Sequence, residues 1–181
     1  MNHIRIKAAA TLLAMACLSP PALAALPVGA KAPTFATQAS LAGKPFRFDL
    51  AAALAKGPVV LYFYPAAFTS GCTVEAHDFA EATAEFNRMG ATVVGVSKDP
   101  IDTLNRFSVS ECRNKFAVAS ADTKLIADYD VKVPVIGISN RTSFVIAPDG
   151  KIIFVYSAFD PSGHVAKTLA AVKAWRAAHG G

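Results

Sequence analysis

The sequence has few of the features that mark nucleic-acid-binding or membrane-spanning proteins. Charged residues make up only 17% of its 181 residues, and lysines and arginines form no run. A formal net charge of +5 without such clusters argues against nucleic acid as a partner. After residue 24, no apolar run approaches the roughly 20 residues that a transmembrane helix needs. Repeats and low-complexity segments are absent, and 53% hydrophobic residues are typical of one compact domain.

Cysteine is also scarce, and its spacing matters. The three cysteines, Cys17, Cys72 and Cys112, contain no Cys-x-x-Cys pair. Thiol–disulfide oxidoreductases of the thioredoxin fold use that pair, so its absence counts against dithiol exchange. A thiol–disulfide oxidoreductase of the thioredoxin fold is nevertheless an alternative function.

The N-terminus has the order of features of a signal peptide. Arg5 and Lys7 precede an apolar stretch at 8–18 that is too short to span a membrane. Prolines follow, and then the small residues at 22–24 form an A-x-A cleavage site. We therefore predict a signal peptide at 1–24, followed by a single exported domain, periplasmic or secreted, at 25–181.

Processing at this site would change the charge and the cysteine count. Loss of Arg5 and Lys7 lowers the formal charge from +5 to +3, and loss of Cys17 leaves Cys72 and Cys112. Disulfides persist in exported compartments, so these two cysteines could form a static bridge or a working redox pair. A second route, in which Cys17 carries a lipid, is suggested by a loose lipoprotein box at 14–17.

Periodicity predicts an alternation of strands and helices along the mature chain. In order, the predicted elements are a short strand at 46–48, a buried strand at 59–64, a helix at 71–89, a buried strand at 91–97, a helix capped by Asp99 that includes Cys112, a short helix at 125–129, a hairpin at 143–156 and a helix from Asp160. Strand–helix–strand crossovers imply parallel pairing, and the hairpin adds antiparallel strands. The predicted fold is an α/β, thioredoxin-like sandwich, with a central mixed sheet flanked by helices.

The turn from the first buried strand into its helix carries the candidate chemistry. Pro65 ends the strand, and Cys72 falls in the first turn of the helix. Unpaired backbone N–H groups and the positive end of the helix dipole favour a thiolate over a thiol there. Gly71 allows close approach to the backbone, and the Thr69 hydroxyl can turn towards the sulfur. A cysteine so placed is a candidate nucleophile.

The same residues carry a family resemblance. The string Pro65-x3-Thr69-x2-Cys72 resembles the peroxiredoxin signature, and the residues from Gly71 to Ala76 are similar to the bacterioferritin-comigratory-protein (PrxQ-like) class. Further likeness lies at Gly29-x2-Ala32-Pro33-x-Phe35, at 94–97, and at 141–146 followed by Asp149-Gly150. The resemblance covers about residues 26–178. It implies a thiol-dependent peroxidase that reduces hydrogen peroxide and organic hydroperoxides.

The resemblance also implies roles for individual residues. Cys72 would be the peroxidatic cysteine, attacking the peroxide and becoming a sulfenic acid. Thr69 would hydrogen-bond the peroxide, Pro65 would shield the site from water, and Arg141 would hold both thiolate and peroxide. The implied partners are a peroxide and a thioredoxin-like or other thiol reductant, with no cofactor and no metal. The class includes monomers and dimers.

In the second half of the reaction, a thiol would react with the Cys72 sulfenic acid, and there are two candidates for that thiol. Many members of the class have a resolving cysteine five residues after the first, and here that position is His77. Cys112 matches the position used by another branch, so an intramolecular disulfide with Cys72 is expected. The alternative is a one-cysteine enzyme resolved by an external thiol.

Two further observations bear on the rival functions. A thiol–disulfide oxidoreductase would need proline immediately before the strand opposite the cysteine, where this chain has Asn140-Arg141-Thr142. Cys72 and His77 could supply two metal ligands, but His164 and His179 lie far along the chain. His77 is therefore interpreted as an ordinary helix residue whose ring is solvated or hydrogen-bonded.

Overall fold

The computed structural model describes residues 25–180. The predicted signal peptide at 1–24, with Cys17, lies outside the described residues. The elements are β1 (Ala36–Leu41), β2 (Lys44–Asp49), α1 (Leu50–Leu54), β3 (Val59–Phe63), α2 (Ser70–Arg88), β4 (Thr92–Ser97), α3 (Ile101–Ser110), β5 (Ala117–Ser120), α4 (Thr123–Asp128), β6 (Thr142–Ile146), β7 (Ile152–Ser157) and α5 (His164–Ala178). Within 25–180, no helix has the length and apolar character that crossing a bilayer requires.

The strands form one mixed sheet, which confirms the predicted fold class. Its order is β2-β1-β5-β4-β3-β6-β7. Strand β4 pairs in parallel with both β3 and β5, whereas β6 pairs antiparallel with β3 and with β7. The parallel pairs are those joined by helices, as crossover connections require. The 148–150 turn joins β6 to β7, as predicted.

Strand β3 is buried on both faces because helices cover the sheet from both sides. Leu61 and Phe63 enter one apolar cluster, shared with α1 and α4, whereas Val60 and Tyr62 enter the other, shared with α2, α3 and α5. This alternation follows from the two-residue period of a strand. The fold therefore places the start of α2 at the end of a strand held rigidly on both sides.

Three sequence predictions about where helices begin or end are wrong. Asp99 does not cap α3, which begins at Ile101 with Pro100 at the cap position. Cys112 lies beyond α3, which ends at Ser110. The last helix starts at His164 and not at Asp160, because the Asp160 carboxylate accepts a hydrogen bond from Ser162 N (2.8 Å) within the preceding turn.

The sequence patterns also missed β1, β5 and α1. Strands β1 and β2 form a hairpin whose turn residues, Ala42 and Gly43, have φ values of 51° and 77°. Such a turn needs a left-handed backbone at both positions. Alanine is not a residue typical of that conformation, so Ala42 does not indicate the turn in the sequence. Strand β5 has only four residues.

Candidate active site

Cys72 is the third residue of α2, and the loop after β3 presents it at the helix start. The first helical hydrogen bond runs from Thr73 N to Thr69 O (2.8 Å), so the N–H groups of the preceding turn have no intrahelical acceptor. The Cys72 side chain is only 1% exposed. Its sulfur thus lies at the positive end of a 19-residue helix and close to the protein interior.

The loop before α2 is fixed by contacts that sequence patterns did not reveal. The Asp99 carboxylate accepts hydrogen bonds from Ala67 N (2.8 Å) and from Ser97 Oγ (2.8 Å). Phe68 adopts a left-handed backbone (φ 65°), and its ring packs edge-on against Phe107 at 5.2 Å. Asp99 therefore anchors the loop that carries the candidate residues instead of capping α3.

Arg141, which directly precedes β6, lies against the cysteine. Its Nη2 donates to Cys72 Sγ at 3.4 Å, its Nε donates to Phe159 O at 3.1 Å, and its Nη1 donates to Glu75 Oε2. With all three nitrogens engaged and 5% exposure, the guanidinium has one orientation. A Cβ at Gly71 would lie 3.0 Å from Nη2, so glycine leaves the room that the guanidinium occupies.

Glu75 is a site residue that sequence reasoning did not single out. It is fully buried, and burial raises the pKa of its carboxyl to about 8 against the opposing effect of Arg141. Only its spacing could have identified it: three residues after Cys72, it projects from the same face of α2. A buried glutamate at that spacing needs a cationic partner, and Arg141 supplies it.

Thr69 is exposed, whereas Pro65 is half-buried. The Thr69 hydroxyl is exposed and donates to Ala66 O at 3.0 Å, and among the described residues it forms no hydrogen bond with the Cys72 sulfur. Because its proton is used in that bond, its lone pairs remain free to accept from an incoming molecule. Pro65 is half-buried at the end of the strand that leads into the loop.

Cys112 is a free thiol, fully buried in the same apolar cluster as Cys72. Burial, together with the nearby Glu111, raises the pKa of its thiol. The residues on either side of Cys112 in the sequence both form pairs with side chains of α2. Glu111 Oε2 lies 2.8 Å from His77 Nε2, and Arg113 is paired with Glu81. His77 is thus a hydrogen-bonded helix residue.

Known proteins resemble the chain in both sequence and structure. The AhpC/TSA family model matches residues 28–155. A putative peroxiredoxin of Mycobacterium tuberculosis is 37% identical over 131 residues, 70% of this chain and 85% of that protein. Peroxiredoxin Bcp of Xanthomonas campestris is 32% identical over 123 residues, 64% of this chain and 76% of its own. The crystal structure of peroxidoxin BcpB from Mycobacterium tuberculosis has a TM-score of 0.72 at 36% identity and covers 81% of this chain and 96% of its own.

The sequence match extends from the N-terminal loop into β7, and therefore includes both Cys72 and Arg141. The structural match covers most of the described residues. The chain therefore belongs to the AhpC/TSA family and is a peroxiredoxin, a thiol-dependent peroxidase.

Proposed function

We propose that Cys72 is the peroxidatic cysteine. The observation that carries this proposal is the contact of Arg141 Nη2 with Cys72 Sγ at the start of α2. In the reaction, the thiolate attacks one peroxide oxygen, the O–O bond breaks, and the departing oxygen leaves as an alkoxide or hydroxide that takes up a proton. The sulfur becomes a sulfenic acid. Hydrogen peroxide and organic hydroperoxides are the proposed substrates.

Thr69 and Pro65 have supporting roles in this proposal. The Thr69 hydroxyl, with its proton donated to Ala66 O, accepts the O–H of the incoming peroxide and orients it. Pro65, which has no backbone N–H, would shield the site from water. Arg141 stabilises the negative charge that develops as the O–O bond breaks, because its donors are fixed before the reaction.

Cys112 is the proposed resolving residue. Its thiol would displace the hydroxyl of the Cys72 sulfenic acid, forming the Cys72–Cys112 disulfide and releasing water. Local unwinding around both residues would bring the two sulfurs together. The Cys112 segment is suited to such movement, because the next two residues, Arg113 and Asn114, adopt left-handed backbones (φ 49° and 60°). A thioredoxin-like or other thiol reductant would then regenerate the two thiols.

One equivalent of hydrogen peroxide is expected to convert the reduced protein into a form with a Cys72–Cys112 link. Non-reducing peptide mapping measures that link directly. Cys112→Ser is the matched variant, and we expect it to stop at the Cys72 sulfenic acid, which dimedone traps. If the wild-type protein lacks the link and yields the same dimedone adduct, the enzyme is a one-cysteine peroxidase that uses an external thiol.

We also propose that the chain is exported and acts in the periplasm or outside the cell. The support is the N-terminal order of Arg5 and Lys7, an apolar stretch, and small residues at 22–24. The intact mass of protein recovered from the periplasm is expected to correspond to a chain that begins at Ala25. Palmitate labelling that disappears in Cys17→Ala would instead establish a lipoprotein, and an unprocessed chain confined to the cytosol would refute export.

A further inference from the structure

A cavity of about 420 Å³ lies at the end of the sheet opposite the candidate active site. It opens at the amino ends of β4 and β5, whereas Cys72 follows the carboxyl end of β3. Strands β3 and β4 are parallel, so the two places are separated by the length of β3, five residues at about 3.3 Å each. The peroxide chemistry proposed above makes no use of this cavity.

The cavity arises from the shortness of β5. That strand has four residues, and its pairing with β4 begins only at Val94, opposite Ala117. Among residues 25–180, Thr92 and Val93 pair with β3 but with no strand on their other side. The space beside these two residues is therefore not closed by the sheet, and α1, the end of α2 and the β1–β2 hairpin form its walls.

Apolar side chains form the inner surface of the cavity. Phe48, Val93 and Phe116 line it and are at most 6% exposed. At its mouth, Leu41 and Phe46 are 39% and 42% exposed. Exposed apolar side chains that continue into a cavity are typical of a ligand-binding groove. The volume also lies within the range of about 300–1,000 Å³ that pockets for small molecules have.

The charged residues of the cavity are mostly cations. Arg47, Lys56 and Lys115 line it, and within the part of the chain that the structure describes none of their side chains has an ion-pair or hydrogen-bond partner. Asp49 is the one acid among the described residues of the lining, and its Oδ1 accepts from Ala52 N (3.1 Å) at the start of α1. The wall therefore has an excess of positive charge without a counter-charge.

We propose that this cavity binds the anion of a single-chain fatty acid, with the alkyl chain against Val93 and Phe116 and the carboxylate at Arg47 and Lys115. An inorganic anion would leave the apolar surface exposed to water, and an uncharged apolar molecule would leave the cations unpaired. A carboxylate suits Arg47, because a guanidinium can donate two parallel hydrogen bonds to its oxygens. The volume is near the lower end of the range for small-molecule pockets, which favours one alkyl chain over a two-chain lipid.

Isothermal titration calorimetry of residues 25–181 with dodecanoate tests the proposal without peroxide, and we expect one molecule to bind per chain. Affinity should fall about fourfold for each CH₂ group removed, so decanoate should bind about 15-fold more weakly than dodecanoate. Acetate, which has the charge but no chain, should not compete. Absence of dodecanoate binding at millimolar concentration, or an affinity independent of chain length, would overturn the proposal.

Variants of the exposed cations test the carboxylate site. Arg47→Gln and Lys115→Gln should each weaken dodecanoate binding about fivefold, the upper end for an exposed ion pair. Lys44→Gln is the matched control, because Lys44 is an exposed cation of the same hairpin that does not line the cavity. An equal loss in Lys44→Gln would show that only the overall charge attracts the anion, which contradicts the proposed site. Circular dichroism checks that each variant is folded, and the chain-length series needs no variant.

The place of binding is measured by nuclear magnetic resonance of labelled valine methyl groups. Dodecanoate should shift the signals of Val93 and Val94, which line the cavity, and leave that of Val172, buried beneath α5, unchanged. Shifts at Val172 without shifts at Val93 would contradict the proposal. A ligand-free protein that sediments as a dimer, and becomes a monomer when Phe46 is replaced by Ser, would assign the cavity to a second copy of the chain instead.

Discussion

Replacing Cys72 with serine is expected to abolish peroxide consumption. A serine hydroxyl at this position would remain protonated and cannot form a sulfenic acid, so neither the first nor any later step is available. Because serine is nearly the same size and its oxygen can accept from Arg141 Nη2 where the sulfur does, the fold should be kept. Peroxide loss, followed with purified residues 25–181 and a thiol reductant, measures the effect.

The matched control is the other buried cysteine. Cys112→Ser should consume one peroxide per chain even without added reductant, because attack by Cys72 does not need the second thiol. Turnover near the wild-type rate in Cys72→Ser would remove Cys72 from the mechanism. Loss of the first stoichiometric reaction in Cys112→Ser would give Cys112 a role in attack as well as in resolution.

The position of Cys72 could be predicted from sequence because local signals agree there. The continuous apolar run at 59–64 ends at Pro65. The helical periodicity that follows ends at Gly90, whose φ of 71° is the left-handed conformation common after a helix end. These signals need no information from distant parts of the chain. Strands β3 and β4 and helix α2 were predicted for the same reason.

The features that the sequence predicted wrongly or missed depend on partners that are distant in the sequence. Asp99 has the sequence context of a helix cap, but the Ala67 amide, 32 residues away, uses its carboxylate. After α3, Arg113 and Asn114 adopt left-handed backbones although neither is glycine, so no sequence signal marks the turn at these residues. Glu75 looks like a surface residue of a helix until the fold brings Arg141 to it across 66 positions. Tertiary contacts override local preference at each of these places.

The rate of peroxide attack cannot come from the thiolate fraction alone. A free cysteine is already a few per cent thiolate at neutral pH, so complete ionisation gains only about 30-fold. Part of that gain is lost, because a thiolate with a lower pKa is a weaker nucleophile. The larger contribution must come from groups that hold the peroxide and stabilise the charge as the O–O bond breaks. We propose Arg141 for this role, because its Nη2 lies 3.4 Å from Cys72 Sγ.

Arg141→Ala is therefore expected to lower the second-order rate constant for peroxide by about 100- to 1,000-fold, the usual cost of losing one fixed donor to a developing charge. Arg141→Lys keeps the positive charge but loses the fork that contacts Cys72 and Glu75 together, so most of the loss should remain. Stopped-flow measurement of Cys72 oxidation gives the rate constant.

The interpretation of these variants depends on Glu75. Removing Arg141 leaves a buried carboxyl without its cation, which would destabilise the fold if that carboxyl stayed ionised. Because burial already raises the pKa of Glu75 to about 8, we expect it to protonate and the chain to stay folded. Glu75→Gln combined with Arg141→Ala removes the charge altogether, and thermal unfolding compares the two variants. A rate constant near the wild-type value in either folded variant would show that Arg141 does not stabilise the reaction.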